Sequence, residues 1–300
     1  MTHDRVAPGT IVVGVDGSVH AQRALSWAAE QAMLENRQLT VVHAAGDGDI
    51  RSVAWVGAKG SALPDLLTTA REVVSNALAW VGSIHPGLDV VGAPQLGDPR
   101  QVLVELSEDA HLIIVGSRGR GTFRSMLLGS VSVSVAKHAH CPVVVTRPGP
   151  EPHPRDGVLV GADGTAESLP VIEFAFRQAS LRGATLTVMH TSFAVAVTLA
   201  AVTQVATPAD GAEDERLLLS ESVAGLSEKF PDVRVSLQLG YGLVDECLTQ
   251  GSQSRTLIVV GRHQVNSISK LLAGSVSAAV LERSDSPVAV VPEGAPTSSA

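Results

Sequence analysis

Two hydrophobic periodicities alternate along this chain. Short runs in which nearly every residue is apolar, as in strands buried on both faces, are followed by stretches with apolar residues three and four apart, the mark of a helix with one buried face. Thr10–Val15 is the first run. Ser18 follows as a candidate N-cap, and Ala21, Ala24, Leu25, Ala28 and Ala32 form the first helical stripe. The same reading predicts strands over 39–44, 88–92, 112–115 and 142–146, and helices over 63–82, 99–107 and 130–139. Residues 45–61 carry no firm pattern. Regular alternation of apolar strands and helices implies an α/β fold, a parallel sheet covered on both faces.

The pattern then recurs. IVVGVDGSVHAQRALSWAAEQAMLENRQLTVVHA at 11–44 aligns without a gap with VLVGADGTAESLPVIEFAFRQASLRGATLTVMHT at 158–191. Gly14, Asp16, Gly17, Ser18 and His43 meet Gly161, Asp163, Gly164, Thr165 and His190. LIIVG, LLGSVS and PVVV late in the first copy meet LIVVG, LAGSVS and PVAV late in the second. Such long copies are whole domains rather than solenoid units. Strands are therefore expected near 158–162, 185–190, 233–239, 256–260 and 288–291, and helices near 166–182, 213–229, 243–251 and 275–283. Between the copies RPGPEPHPRDG holds four prolines, an extended linker. The expected organisation is a domain over 1–147, a linker over 148–157, a second domain over 158–293 and a frayed tail over 294–300.

Composition narrows the function classes. At 45% hydrophobic and 17% charged residues the chain folds rather than stays disordered. Its longest nearly apolar stretch, Phe193–Ala206, is interrupted by Thr198, Thr203 and Gln204, so no membrane span is expected. Met1–Thr10 has no apolar signal core, so no secretory leader is expected. Cys141 and Cys247 lie in no CxxC or Cys/His cluster, which supports neither a disulfide framework nor a metal site. They read as small buried hydrophobes of a reducing, cytoplasmic compartment. A net charge of −8 and 3% aromatics leave neither a basic stripe nor stacking platforms for nucleic acid.

In an open parallel sheet, ligands bind beyond the carboxyl ends of the strands. Three segments of the first copy fall there. They are Gly14-Val-Asp16-Gly17-Ser18, His43-Ala44, and the stretch from Gly116 through Ser117, Arg118, Gly119, Arg120, Gly121 and Thr122 to Gly129, Ser130 and Val131. Three glycines in six residues let a backbone take positive φ and approach a ligand closely. Gly129-Ser130 opens a helix whose free N–H groups favour an anion. Amides, a helix start, a hydroxyl and arginines together suit a polyphosphate. GxxxxGK[ST] is absent, and the glycine order is GxxGxG after strand four rather than GxGxxG after strand one, which argues against both a P-loop and the usual dinucleotide fold. Simpler readings stand beside these. Asp16 and Asp163 can serve a strand–helix turn, Ser18 and Thr165 can be caps, and His43 and His190 can be core histidines. Arg118, Arg120 and Arg124 can be a solvated loop, and Trp27, Trp55 and Trp80 packing residues. No nucleophile and base are positioned as a triad.

GVDGS after strand one, HA after strand two and Gly116-x2-Gly119-x9-Gly129-Ser130 after strand four resemble the universal stress protein family in its ATP-binding branch, twice over, as in tandem-domain members common in actinobacteria. The resemblance implies an adenine-nucleotide α-hydrolase-like sheet of order 3-2-1-4-5 in each copy. It also implies ATP across the strand ends, commonly with magnesium. Asp16 would hold the ribose, the Ala44 backbone the adenine edge, and Gly116 to Thr122 with Gly129 to Val131 the phosphates. It further implies contacts between the last strands, Val143–Val145 and Val288–Val290, pairing the two domains inside one chain. A homodimer of whole chains is left open.

The second copy departs from the pattern. Gly261, Arg262 and His263 are followed by Gln264 and Asn266 where the first copy has Gly119 and Gly121, whereas Asp163, Gly161, Gly274, Ser275 and Val276 remain. A left-handed backbone at Gln264 would cost about 1–2 kcal/mol, enough to weaken the site. The leading expectation is a cytoplasmic ATP-responsive regulator of stress or growth arrest, without catalytic residues and at most slow in hydrolysis. The alternatives are an enzyme attacking the α-phosphate of ATP and a ligand-free structural tandem.

Overall fold

The computed structural model describes residues 6–46, 62–119, 128–148, 157–192, 208–250, 255–262 and 276–293. The chain divides into two compact units, Met1–Pro148 and Gly149–Ala300. The first runs β1 (Ile11–Gly14), α1 (Val19–Glu35), β2 (Leu39–Ala45), α2 (Ala62–Ile84), β3 (Val90–Leu96), α3 (Pro99–Leu106), β4 (Leu112–Gly116), α4 (Ser130–His138) and β5 (Val143–Thr146). The second runs β6 (Val158–Gly161), a 3₁₀ turn (Ala166–Ser168), α5 (Leu169–Arg182), β7 (Leu186–Ser192), α6 (Pro208–Lys229), β8 (Val235–Tyr241), α7 (Val244–Gln250), β9 (Leu257–Arg262), α8 (Val276–Arg283) and β10 (Val288–Pro292).

Within the first unit the strands lie in the order β3-β2-β1-β4-β5, and within the second β8-β7-β6-β9-β10, the expected 3-2-1-4-5 in each. The neighbouring strands of each unit run parallel. β1 is central because its IVVG is apolar on both faces. Ile11 stands beside Leu39 on one side and Leu112 on the other, and Ile11, Val12 and Val13 are fully buried. α1 covers β1 and β4 with its alanine-rich face, Ala24, Ala28, Ala29 and Ala32 around Leu25. Small side chains there let the helix lie close to the sheet.

The ends of α1 are fixed chemically. The Ser18 hydroxyl accepts from the Ala21 N–H at 3.1 Å, the cap that the sequence predicts. At the other end Asn36 takes a left-handed conformation (φ 49°), and Gly183 does the same after α5 (φ 59°).

Several boundaries differ from the sequence reading. β3 lies over 90–96 rather than 88–92, because Leu88 is taken into a turn onto His85 and all seven residues of β2 find partners, from Leu39 beside Val90 to Ala45 beside Leu96. β8 is likewise later than expected, matching β7 from Leu186 beside Val235 to Ser192 beside Tyr241. α5 begins at 169 rather than 166. Pro170 has no N–H to give the Ala166 carbonyl, so a 3₁₀ turn precedes the helix. α6 begins at 208, before the expected 213. The central linker, the 45–61 stretch past Gly46 and the tail past Glu293 lie outside the described residues. No described helix is long and apolar enough to cross a membrane.

Candidate functional site

At the carboxyl end of β1 the chain turns through Asp16, Gly17 and Ser18. Asp16 Oδ1 accepts the Ser18 N–H at 2.9 Å, and Gly17 supplies a positive φ of 76°. The turn is pinned from β2. His43, buried, places Nδ1 2.6 Å from the Val15 carbonyl, so that nitrogen is the donor. His190 makes the same contact to the Ala162 carbonyl at 3.0 Å. Both histidines hold strand ends in place, the simpler of the readings offered by the sequence. Ala44 follows His43 in the same buried strand.

β4 delivers the second part. The Ser117 N–H donates to the Thr146 carbonyl at 3.0 Å, and the Ser117 carbonyl accepts the Gly129 N–H at 2.7 Å. The start of α4 is thereby held against the end of β4, with the loop between them. Gly129 is the N-cap of α4 and offers no side-chain cap, and Ser130 is exposed beside the half-buried Val131. Two further polar atoms at this junction are buried with no partner among the described residues, Ser117 Oγ and Arg118 Nε, and Ser117 as a whole is 0% exposed.

The two parts meet at Gly119. A Cβ there would lie 2.5 Å from Asp16 Oδ2. Gly119 is not in the left-handed region, so of the two reasons expected for the loop glycines positive φ does not apply to it. Close approach to the Asp16 carboxylate, not positive φ, is what excludes a side chain. Gln264, the counterpart of Gly119 in the second copy, lies outside the described residues. Arg120, Gly121 and Thr122 lie outside the described residues.

Sequence reasoning missed His20, in the first turn of α1. A Cβ on Gly116 would come within 2.7 Å of the His20 carbonyl, so the end of β4 touches this turn directly. The imidazole is held below its ordinary value of 6.5, first by burial, then by the charges of Arg118 and Arg23 and, more weakly, Arg147, with Asp16 opposing them. Among the described residues, Arg118, Arg23 and Arg147 thus act on His20 beside Asp16 at this end of the first sheet. The available signal was the comparison of copies, in which His20 aligns with Glu167.

In the second unit Asp163 Oδ1 accepts both the Thr165 N–H (3.0 Å) and the Thr165 hydroxyl (2.6 Å). Thr165 therefore does not cap its helix as Ser18 does. Gly161 matches Gly14: a Cβ at either would press on a leucine of the following short helix, Leu248 or Leu103. Arg262 closes β9, and Val276 opens α8. His263, Gly274 and Ser275 lie outside the described residues. A Cβ on Gly261 would fall on the Glu293 carboxylate, whose Cδ lies 3.3 Å away. Among the described residues, no group of three or more His, Cys, Asp and Glu side chains is placed to hold a metal ion.

The sequence model of the Universal stress protein family matches residues 8–147 and again 155–292. A universal stress protein of Mycobacterium tuberculosis is 35% identical over 299 residues, spanning 93% of this chain and 96% of the relative. A second from the same organism is 33% identical over 291 residues, at 94% and 96% coverage. Among solved structures, a universal stress protein from Archaeoglobus fulgidus superposes with a TM-score of 0.70 at 21% identity, covering 95% of this chain and 98% of the other, a likeness of fold.

Proposed function

We propose that this chain, which belongs to the universal stress protein family, binds ATP at the carboxyl end of its first sheet and acts as a nucleotide-responsive regulator rather than a turnover enzyme. The observation that carries this reading is the junction of β4 and α4. A helix N-terminus without a side-chain cap adjoins two buried polar atoms, Ser117 Oγ and Arg118 Nε, that have no partner among the described residues. Burying such atoms unpaired is costly, and phosphate oxygens would pair them. Gly119 brings this junction against Asp16, so phosphates and ribose would be read from adjoining elements. In this reading Asp16 holds the ribose, the Ala44 backbone meets the adenine edge, and Gly116 to Thr122 with Gly129 to Val131 surround the phosphates. Magnesium would arrive on the triphosphate oxygens rather than in a protein cage.

No residue is assigned a catalytic role. His43 and His190 are engaged with backbone carbonyls, and the Asp16-Gly17-Ser18 turn lacks the Ser-Gly-Gly character expected of enzymes that attack the α-phosphate. Hydrolysis slower than the common enzyme range of about 1 per second is expected. The setting proposed is the cytoplasm under stress or growth arrest. The two domains are proposed to pair through their last strands, since an apolar edge strand invites a partner and covalent linkage raises its effective concentration. Cysteine cross-linking between those strands tests the pairing.

The decisive experiment is to heat-release whatever nucleotide co-purifies with the chain and identify it by mass spectrometry, then titrate ATP into wild type and Asp16→Ala. ATP released intact and binding lost in the variant support the reading. AMP and pyrophosphate formed at enzyme rates would make the chain an enzyme, and no nucleotide at all would make it a structural tandem.

A further inference from the structure

The outer strands of the two units differ at their open edges. β3 and β8 each have one neighbouring strand among the described residues, β2 and β7. Alternate residues of a strand turn their N–H and C=O groups to opposite sides. The Asp89 carbonyl accepts the Leu39 N–H, so Val90, Gly92, Pro94 and Leu96 point their backbone groups away from β2. The Arg234 carbonyl accepts the Leu186 N–H, so Val235, Leu237, Leu239 and Tyr241 point theirs away from β7. Pro94 stands beside His43 and Leu239 beside His190, the same place in the two copies. The first unit thus has a proline, with no N–H, in the middle of its open edge, a guard against strand addition. The second has a leucine there, and no described residue takes its N–H. β8 is VSLQLGY, without a proline or a charge, and its last residue, Tyr241, is 58% exposed.

We propose that β8 docks a second copy of this chain: two β8 strands pair antiparallel about a two-fold axis at Gln238 and join two second-unit sheets edge to edge. The strand is complementary to itself in that register. Leu237 and Leu239 of one copy exchange N–H to C=O bonds with Leu239 and Leu237 of the other. Gly240 faces Cys247 of α7, so the odd-numbered residues of β8 lie on the α6 side of the sheet. On that side Val235 comes beside Tyr241 of the second copy. On the other side the exposed Gln238 meets its own counterpart, amide to amide. The charges at the strand ends are complementary as well. Arg234 precedes β8, and Glu246 lies in the first turn of α7. Both are exposed, and neither has an ion-pair partner among the described residues. The register sets Arg234 of each copy across from Gly242 of the other, toward Glu246, which offsets repulsion between two chains of net charge −8.

The helix above leaves room for this. α6 packs on β8, with Leu219 and Val223 buried, and its Glu221, Ser222 and Gly225 line the groove on the α5 side. Helical spacing puts Ser220, Ala224 and Ser227 on the opposite flank, where small side chains let a second α6 come close. Such an assembly needs no nucleotide, and it uses an edge other than the last strands, β5 and β10.

The test is sedimentation velocity of the full chain over a range of concentration. Wild type should pass from monomer to dimer as concentration rises. Gln238→Glu and Gln238→Lys each set like charges opposite one another and should raise the dissociation constant about tenfold or more. Mixing the Gln238→Glu and Gln238→Lys chains should restore a dimer at least as tight as wild type. Leu239→Pro, which gives β8 the guard that β3 has, should weaken the dimer by a similar factor. Hydrogen exchange at the Leu237 and Leu239 amides should slow as the dimer forms. A chain that stays monomeric at every concentration, a dimer unmoved by both Gln238 variants, or no recovery on mixing them would each overturn the proposal. So would Leu237 and Leu239 amides already protected in the monomer, which would mean that the edge is covered within one chain.

Discussion

His111 Nε2 stands 2.6 Å from Glu35 Oε2, joining the residue before β4 to the last residue of α1 at the end of the sheet away from the candidate site. The Glu35 side chain is only 6% exposed, and it is further held by Gln31 and, at 3.3 Å, by Arg37 Nε. Arg37 in turn donates to the Gly9 carbonyl at 2.8 Å, so the group also secures the chain entering β1.

Acid should release this group. Burial pushes the Glu35 carboxyl up. The hydrogen bond and charge of His111, then Gln31 and Arg37, outweigh it and hold the carboxyl below its ordinary 4.5. A depressed carboxyl stabilises the fold fully above its unfolded value and loses that contribution as pH falls through the folded one. Glu35→Gln should flatten the fall in thermal stability below about pH 4.5. At neutral pH, His111→Ala should cost about 1–3 kcal/mol by melting.

Gly119 and Asp16 should behave as a coupled pair. Gly119→Ala places a Cβ 2.5 Å from Asp16 Oδ2 and should weaken ATP binding about tenfold or more. In an Asp16→Ala background the same change should do much less. Additive losses in a calorimetric double-mutant cycle would contradict direct contact.

The two helix starts should respond unequally. Ser18→Ala removes a cap in use and should cost about 1 kcal/mol. Thr165→Ala removes a hydroxyl spent on Asp163, not on the helix, and should cost under about 0.5 kcal/mol. Differential scanning calorimetry of both variants measures the contrast.

The helix ends offer a third comparison. Asn36 and Gly183 hold equivalent left-handed positions. Gly183→Ala should destabilise by about 1–2 kcal/mol, whereas Asn36→Gly should be neutral or stabilising. Melting temperatures of the two variants decide it.

The central strands were legible because burial on both faces forces unbroken apolar runs: LIIVG and VLVG can be little else. β3 was placed too early because it is an edge strand. As an edge strand it admits Gly92, Pro94 and Gln95, so the pairing with β2 set its limits where composition did not. Asp16, Gly119 and the start of α4 were picked out from glycine spacing and hydroxyl position. Their physical reasons were not, since Gly119 answers to a carboxylate from another element rather than to its own φ. His20 and Glu293 were invisible for a related cause. Each is an ordinary polar residue at the end of an element, and its surroundings come only from what the strand ends bring beside it.

The central position of β1 also governs the order in which the chain becomes a protein. Its two neighbours are β2, about 30 residues on, and β4, about 100 residues on, so half of its ladder closes late and at a greater loop-entropy cost. A chain leaving the ribosome meets this delay once, with IVVG the one centre on offer when LIIVG emerges, and the first sheet can close before VLVG emerges. A full-length chain refolding from denaturant meets it with both near-identical centres present. Biosynthesis in one direction thus separates in time two ladders that the repeated sequence leaves almost interchangeable.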